Sequence, residues 1–290
     1  MTECTVLAYA KLNLFLDITG TLPDGYHSIY TVMQSVDLHD TITVSDTDQG
    51  IELICDAEGF PLNEKNTQYK AASLFLQAAG IHRGVRIATE KRIPMQAGLA
   101  GGSADAAAVL TAMSQLYDEP LTKTQLLQIA EEIGADVPFC LTGGTSLCLN
   151  RGEIMAELPP LPDCHFLIVR PDQPVATAAA YSAFDAASWI RSPDREGFLY
   201  AVKHRDLELI SLKAANVFEQ VVDVSNRARI KSVMRRFGAD MSMMTGSGSA
   251  IFGLFRAEDA ANQCAEALRK EYENVFVCKP VLQGCRISSE

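Results

Sequence analysis

The sequence predicts a mixed helix-and-strand protein built as two domains. Three observations carry this. Strand-like runs crowd the first 55 residues, helical and strand-like segments alternate after residue 66, and Leu158-Pro159-Pro160-Leu161-Pro162-Asp163 has the composition of a linker. At 290 residues the chain is long enough for one large domain or two modest ones, each with its own core. Placing the boundary at the linker gives domains 1–160 and 161–290.

Lys11 to Ile18 alternates as a strand, with Leu12, Leu14, Leu16 and Ile18 on one face and Lys11, Asn13, Phe15 and Asp17 on the other. The polar face suits a solvated surface, yet Lys11 and Asn13 point the same way and are able to grip one ligand. Pro23-Asp24-Gly25 marks a turn that delivers Tyr26 and His27 to the next strand, Ile29 to Val36. A single loop histidine has no necessary function. Short strands follow at Thr41 to Ser45 and Ile51 to Cys55. Asn66 reads as the N-cap of a helix through Ala79, closed by Gly80.

A strand at 85–90 leads into Pro94-Met95-Gln96-Ala97-Gly98-Leu99-Ala100-Gly101-Gly102-Ser103-Ala104-Asp105. The alanine-rich run Ala106 to Leu116 after it reads as a helix. Strand, glycine loop and helix start form an anion-binding device. Glycines let backbone N–H groups approach an anion, and the helix start adds unpaired N–H groups and a positive dipole end. Ser103 is placed as N-cap, or as a hydroxyl facing a phosphate or metal ion. The same residues also make a tight turn with no ligand. The loop is no Walker A motif, since no Lys follows the glycines, and no nucleophile elbow, since the closing glycine is missing.

Thr122 to Ile133 is a further helix, closed by Gly134. In Gly134-Ala135-Asp136-Val137-Pro138 the carboxylate either caps the following turn or serves a site. A strand spans Ser146 to Leu149. Beyond the linker come a strand at Phe166 to Val169 and a helix at Thr177 to Phe184, with Thr177 and Tyr181 on one face. The charged segment 191–206 reads as a surface connection. A helix at 225–237 precedes a second glycine loop, Thr245-Gly246-Ser247-Gly248-Ser249-Ala250, which reads as a hairpin turn or as a second wall of a cleft. Strand Ile251 to Phe255, helix Glu258 to Tyr272 and strand Val275 to Cys278 complete the chain. His204-Arg205-Asp206-Leu207 copies the start of a protein-kinase catalytic loop, but Ser211 replaces the required Asn and no Asp-Phe-Gly follows.

The net charge of −11 argues against nucleic acid or an anionic membrane as partner. It also requires that any phosphate be held by local N–H groups, a few basic side chains and a divalent cation. No apolar run reaches the ~20 residues of a membrane span. Glu3 and Lys11 interrupt the start, so no signal peptide is expected. Eight scattered cysteines without a Cys-x-x-Cys pair suit reduced, mostly buried thiols and a cytoplasmic location.

Ala10-Lys11-Leu12-Asn13-Leu14, the loop Pro94 to Ser103 and Thr245 to Ala250 occur in the order of three motifs of the GHMP small-molecule kinases. The chain resembles that family, which includes galactokinase, homoserine, mevalonate and phosphomevalonate kinases. Asp24-Gly25-Tyr26-His27 and Gly134-Ala135-Asp136-Val137-Pro138 bring it nearest to the branch that acts on a cytidine diphosphate-linked methylerythritol in the non-mevalonate isoprenoid route.

The resemblance implies an α+β, two-domain GHMP kinase fold. Its N-terminal domain is like the second domain of ribosomal protein S5, its C-terminal domain is ferredoxin-like, and the active site lies in the cleft between them. It implies transfer of a phosphoryl group from ATP, with Mg²⁺, to an alcohol. ATP would lie on Pro94, Met95, Gln96, Ala97, Gly98, Leu99, Ala100, Gly101, Gly102, Ser103 and Ala104, with Asn66 near the adenine. Lys11 and Asp136 would be the catalytic pair. Asn13, Tyr26, His27, Thr177 and Tyr181 would bind the cytidylyl substrate, with Tyr26 and Tyr181 stacking on the cytosine. Ala104 stands where many members have a second Ser, and Ala100 where a glycine is common, so the hydroxyl role falls to Ser103. The alternatives are another kinase of the family, acting on homoserine, mevalonate or phosphomevalonate, and a non-catalytic nucleotide sensor. No metal ligands beyond Ser103 are implied, and both monomer and homodimer stay open.

Overall fold

The computed structural model describes residues 2–288. Two sheets carry it. In the first, the long strands β1 (Glu3–Thr21) and β2 (His27–Thr47) form an antiparallel pair. The sheet continues through β4 (Gly84–Glu90) to β3 (Ile51–Ile54), and β5 (Thr145–Asn150) with β6 (Ile154–Glu157) joins the other half of β2. The expected strands 29–36 and 41–45 are thus one element. Helices α1 (Thr67–Ala79), α2 (Gly101–Leu116), α3 (Lys123–Ile133) and α4 (Val137–Thr142) accompany this sheet. Asn66 caps α1 through Gln68 N–H, and left-handed Gly80 closes it, as expected. The alanines 104 and 106–108 of α2 are fully buried, and such small side chains let the helix axis approach the sheet closely.

The second sheet is antiparallel, with β7 (His165–Arg170) and β10 (Ile251–Phe255) between β9 (Met241–Met244) and β11 (Asn274–Cys278). Helices α5 (Thr177–Ala186), α8 (Arg227–Arg236) and α9 (Glu258–Leu268) belong to this half. Two short strands of the second half return to the first sheet. β8 (Ala215–Asn216) lies parallel to β1 at Phe15 and Leu16, and β12 (Cys285–Ile287) antiparallel to it at Val6 to Ala8, both on the edge away from β2.

Three expectations fail for physical reasons. First, β1 is buried on both faces around Lys11, so no solvated face exists there. A one-residue bulge at Leu14 also shifts its register between Asn13 and Phe15. Lys11, Asn13 and Leu16 therefore line one cleft, while Phe15 stacks on Phe198 at 4.9 Å and Asp17 meets Arg195 at 3.3 Å. Second, segment 191–206 is no mere connection: α6 (Arg195–Lys203) buries Phe198, Ala201 and Val202 beneath its charged face, and α7 (Leu207–Lys213) follows. Burying Phe198 alone stabilises by about 1.5–3 kcal/mol. Third, α2 begins at Gly101 with Ala100 at the N-cap position, so Ser103 lies inside the first turn and caps nothing.

Candidate active site

A cleft of about 1820 Å³ is lined by residues of both halves. All the residues singled out above line it except Ala104, which is fully buried and whose N–H donates to the Ala100 carbonyl at 2.8 Å. Ala104 therefore offers a nucleotide neither side chain nor amide.

The loop between β4 and α2 is shaped by three left-handed residues, Gln96, Gly98 and Ala100. Among the described residues, the amides of Leu99, Ala100, Gly101 and Gly102 donate to no protein acceptor, and the Ser103 hydroxyl has no partner. Free amide donors beside the positive end of α2 are the groups with which a loop can cradle an anion. The loop is anchored from the far half. Ala250 N–H donates to the Ala97 carbonyl at 3.1 Å, and a Cβ on Gly98 would stand 2.3 Å from the Thr245 carbonyl oxygen. The second glycine loop is thus a wall and not only a turn, with Ser247 lining the cleft beside Thr177 at 3.3 Å. Asn66 is held as a cap, its Nδ2 donating to Pro61 at 2.7 Å, while Thr67 ties α1 to the Gly102 carbonyl at 2.7 Å.

At the end of this cradle Lys11 and Asp136 converge, Nζ to Oδ2, at 3.7 Å. The Lys11 side chain is 5% exposed and that of Asp136 32%. Asp136 occupies the N-cap position of α4 yet makes no capping bond, which removes the purely structural role and leaves its carboxylate in the cleft. Lys11 also donates to Asn13 Oδ1 at 2.7 Å, and Asn13 Nδ2 donates to Thr31 Oγ1 at 2.9 Å. The Asn13 N–H donates to Thr245 Oγ1 at 3.0 Å. Asn13 therefore orients Lys11 and keeps one amide hydrogen for a ligand. Burial and the nearby charge of Asp136 push the Tyr181 hydroxyl up to about 12, so it stays protonated.

Across the cleft the two tyrosines do not face an empty slot. Arg151, also paired with Asp24, stacks its guanidinium on Tyr26 at 4.1 Å, and His27 lies on Tyr181 at 4.7 Å with its Nε2 2.7 Å from Asp185 Oδ1. Neither Arg151 nor Asp185 is flagged by any local motif. A buried cluster under the cradle also escaped the sequence analysis. Lys91 Nζ bridges Asp40 at 2.5 Å and Asp105 at 2.8 Å, and Asp40 also accepts the amide of Ile93 at 2.8 Å. It joins the segments before and after the loop. Burial and the neighbouring Asp40 hold Asp105 well above the usual carboxylate range, although Lys91 opposes them. Burial works against the charge on Lys91, but the two carboxylates outweigh it and raise its pKa. The only sequence signal was a lysine and an aspartate on either side of the glycine loop.

Comparison with known proteins fits this geometry. The family model described as GHMP kinases N terminal domain matches residues 66–144, and that of GHMP kinases C terminal matches 198–274. A protein of Clostridium tetani is 38% identical over 95% of this chain and 99% of its own length. One of Caldicellulosiruptor bescii is 42% identical over 90% and 93%. Both are named 4-diphosphocytidyl-2-C-methyl-D-erythritol kinase. A crystal structure of 4-(cytidine 5'-diphospho)-2C-methyl-D-erythritol kinase superposes with a TM-score of 0.81 at 33% identity, covering 95% of this chain and 98% of that one. Homoserine kinase from Cytophaga hutchinsonii shares the fold, with a TM-score of 0.80 at 22% identity, covering 99% and 98%. Among the described residues no helix is long and apolar enough to cross a membrane.

Proposed function

The chain belongs to the GHMP kinase family, and we propose that it transfers the γ-phosphoryl group of ATP to the 2-hydroxyl of 4-diphosphocytidyl-2-C-methyl-D-erythritol. The products are the 2-phosphate and ADP, in the non-mevalonate isoprenoid route. The observation that carries this is the meeting of Lys11 and Asp136, 3.7 Å apart, at the edge of a cradle of unpartnered amides. Relatives that match the chain nearly end to end bear the name of that activity.

Phosphoryl transfer of this kind is chiefly positioning and charge stabilisation. The amides of Leu99 to Gly102 would hold the triphosphate oxygens, and Lys11 would lend its cation to the charge that spreads over the transferring group. Asp136 would orient the acceptor hydroxyl and take its proton as the new O–P bond forms and the bond to the β-phosphate oxygen breaks. Among the described residues no three His, Cys, Asp or Glu side chains converge as a metal cage. A Mg²⁺ ion would accordingly be held mainly by nucleotide oxygens, with Ser103 as the protein ligand, and would neutralise phosphate charge. Asn66 would sit near the adenine, and Tyr26, His27, Thr177 and Tyr181 near the cytidylyl group, with Asn13 offering its remaining amide hydrogen. The division 1–160 and 161–290 suits the two family-model matches, which fall on either side of it. Eight free cysteines, six of them buried, favour a reducing compartment and hence the cytoplasm.

An ADP-release assay with ATP, Mg²⁺ and the cytidylyl acceptor, against homoserine, mevalonate and phosphomevalonate, tests the proposal. The cytidylyl substrate is expected to give the highest kcat/KM; faster turnover of any other acceptor, or none at all, would overturn it.

A further inference from the structure

Arg170 ends β7 at the point where β10 begins, since Val169 stands opposite Ile251. It therefore sits at the root of the second glycine loop, in the wall of the cleft. Its side chain is 19% exposed, yet its Nε is buried without a hydrogen-bond partner among the described residues. Its ion pair is with Asp172, 3.5 Å away and 97% exposed, a contact that contributes little in water. Other cations of the cleft are already engaged or lie elsewhere. Lys11, Lys91 and Arg151 are each paired with a carboxylate, and Lys65 precedes Asn66 at the end proposed for the adenine. A guanidinium largely withdrawn from water, with one donor idle, is short of an acceptor.

The same wall leads from one end of the acceptor site to the other. Tyr181 and Thr177 lie one turn apart on α5, and Thr177 Oγ1 is 3.3 Å from Ser247 Oγ. A Cβ on Gly246 would be 3.5 Å from Asn13 Oδ1, the partner of Lys11. At the middle of this path the Ser247 N–H donates to no protein acceptor among the described residues. We infer that Arg170 binds the diphosphate bridge of the acceptor, with the Ser247 N–H beside it. This rests on the cytidylyl reading above. With the base at Tyr181 and the reacting hydroxyl at Asp136, the bridge that joins them has to cross the stretch between Thr177 and Ser247. An anionic bridge in a chain of net charge −11 needs a local cation, and a guanidinium fork matches paired phosphate oxygens.

The test measures inhibition by cytidine diphosphate and by cytidine, each competed against the cytidylyl acceptor at saturating ATP. The proteins compared are wild type, Arg170→Ala, Arg170→Lys and Asp172→Asn. The two inhibitors differ by the diphosphate alone, so the ratio of their inhibition constants isolates contacts to it. Arg170→Ala should raise the constant for cytidine diphosphate about tenfold, and leave that for cytidine and the KM for ATP within about twofold of wild type. Arg170→Lys keeps the charge without the fork and should raise it only about threefold. Asp172→Asn frees the guanidinium and should not raise it. Equal losses for both inhibitors in Arg170→Ala mark a structural role and overturn the inference. So does a loss in Asp172→Asn that matches Arg170→Ala, or a rise confined to the KM for ATP. A wild type that binds cytidine diphosphate no better than cytidine overturns the role of Arg170 alone. If neither compound competes with the acceptor in wild type, the cytidylyl reading fails and the inference with it.

Discussion

Replacing Asp136 by Asn removes the carboxylate while keeping its size and one acceptor oxygen. A positioned general base contributes about 10²–10⁴-fold, so kcat should fall at least ~10²-fold, about 2.7 kcal/mol of barrier. Loss of folding must be separated from loss of chemistry. Two unit charges at the 3.7 Å separation from Lys11 attract by about 4 kcal/mol at an effective dielectric of 20. Desolvation of Lys11 and the one-third exposure of Asp136 reduce the net worth of the pair to about 1–2 kcal/mol. Lys11 retains Asn13 as a partner in the variant, so its ammonium is not left bare. Asp136→Asn should therefore melt a few degrees lower, remain folded at assay temperature, and bind ATP and acceptor with KM values within about threefold of wild type. Steady-state ADP release at saturating substrates, alongside a thermal melt by circular dichroism, measures both quantities. A kcat within threefold of wild type would refute the assignment of Asp136.

Tyr26→Ala should raise the KM of the cytidylyl acceptor about tenfold, in line with ~1–3 kcal/mol for a base stacked on an aromatic ring, and leave that of ATP nearly untouched. Equal effects on both substrates would place Tyr26 away from the base. Gly98→Ala forces a Cβ to 2.3 Å from the Thr245 carbonyl at φ +77°, and should raise the KM for ATP at least about tenfold by parting the two glycine loops. Gly80→Ala is the control: its φ is +64° but its Cβ meets nothing within 4 Å, so it should cost only about 1–2 kcal/mol of stability and no affinity. Asp105 holds its proton to higher pH in the native state than in the unfolded chain. Its contribution is complete below about pH 4 and is lost as pH rises through the raised native value. Asp105→Asn should flatten the fall of Tm as pH rises above about 4, and a curve parallel to wild type would disprove this account of the cluster.

What could be read in advance was what is local. Glycine and small residues around 98–103, the Asn66 cap and the Gly80 stop act within a turn of themselves, so the loop and α1 were legible from composition and spacing. Lys11 and Asp136 were named by resemblance to a family, since nothing in their own neighbourhoods says that they meet. The bulge at Leu14 was hidden because strict alternation looks the same with or without an inserted residue until the partner strand is known. In 191–206 the charges are the solvent face of an amphipathic helix whose apolar face holds only Phe198, Ala201 and Val202, too sparse a pattern beside so many ions. Lys91, Asp40 and Asp105 were invisible as a set because burial, which gives them meaning, is a property of the packed chain.

The segment before β12 threads a narrow gap. Tyr9 N–H donates to the Gly284 carbonyl at 3.0 Å, and a Cβ on Gly284 would stand 1.8 Å from the carbonyl oxygen of Cys140 in α4. The support for the helix that follows Asp136 is therefore translated long after the helix itself. While a ribosome is still extending the second half, the pieces of the candidate site already made have no backing strap, and the nascent chain should complete that site only when residues near 284 emerge from the exit tunnel.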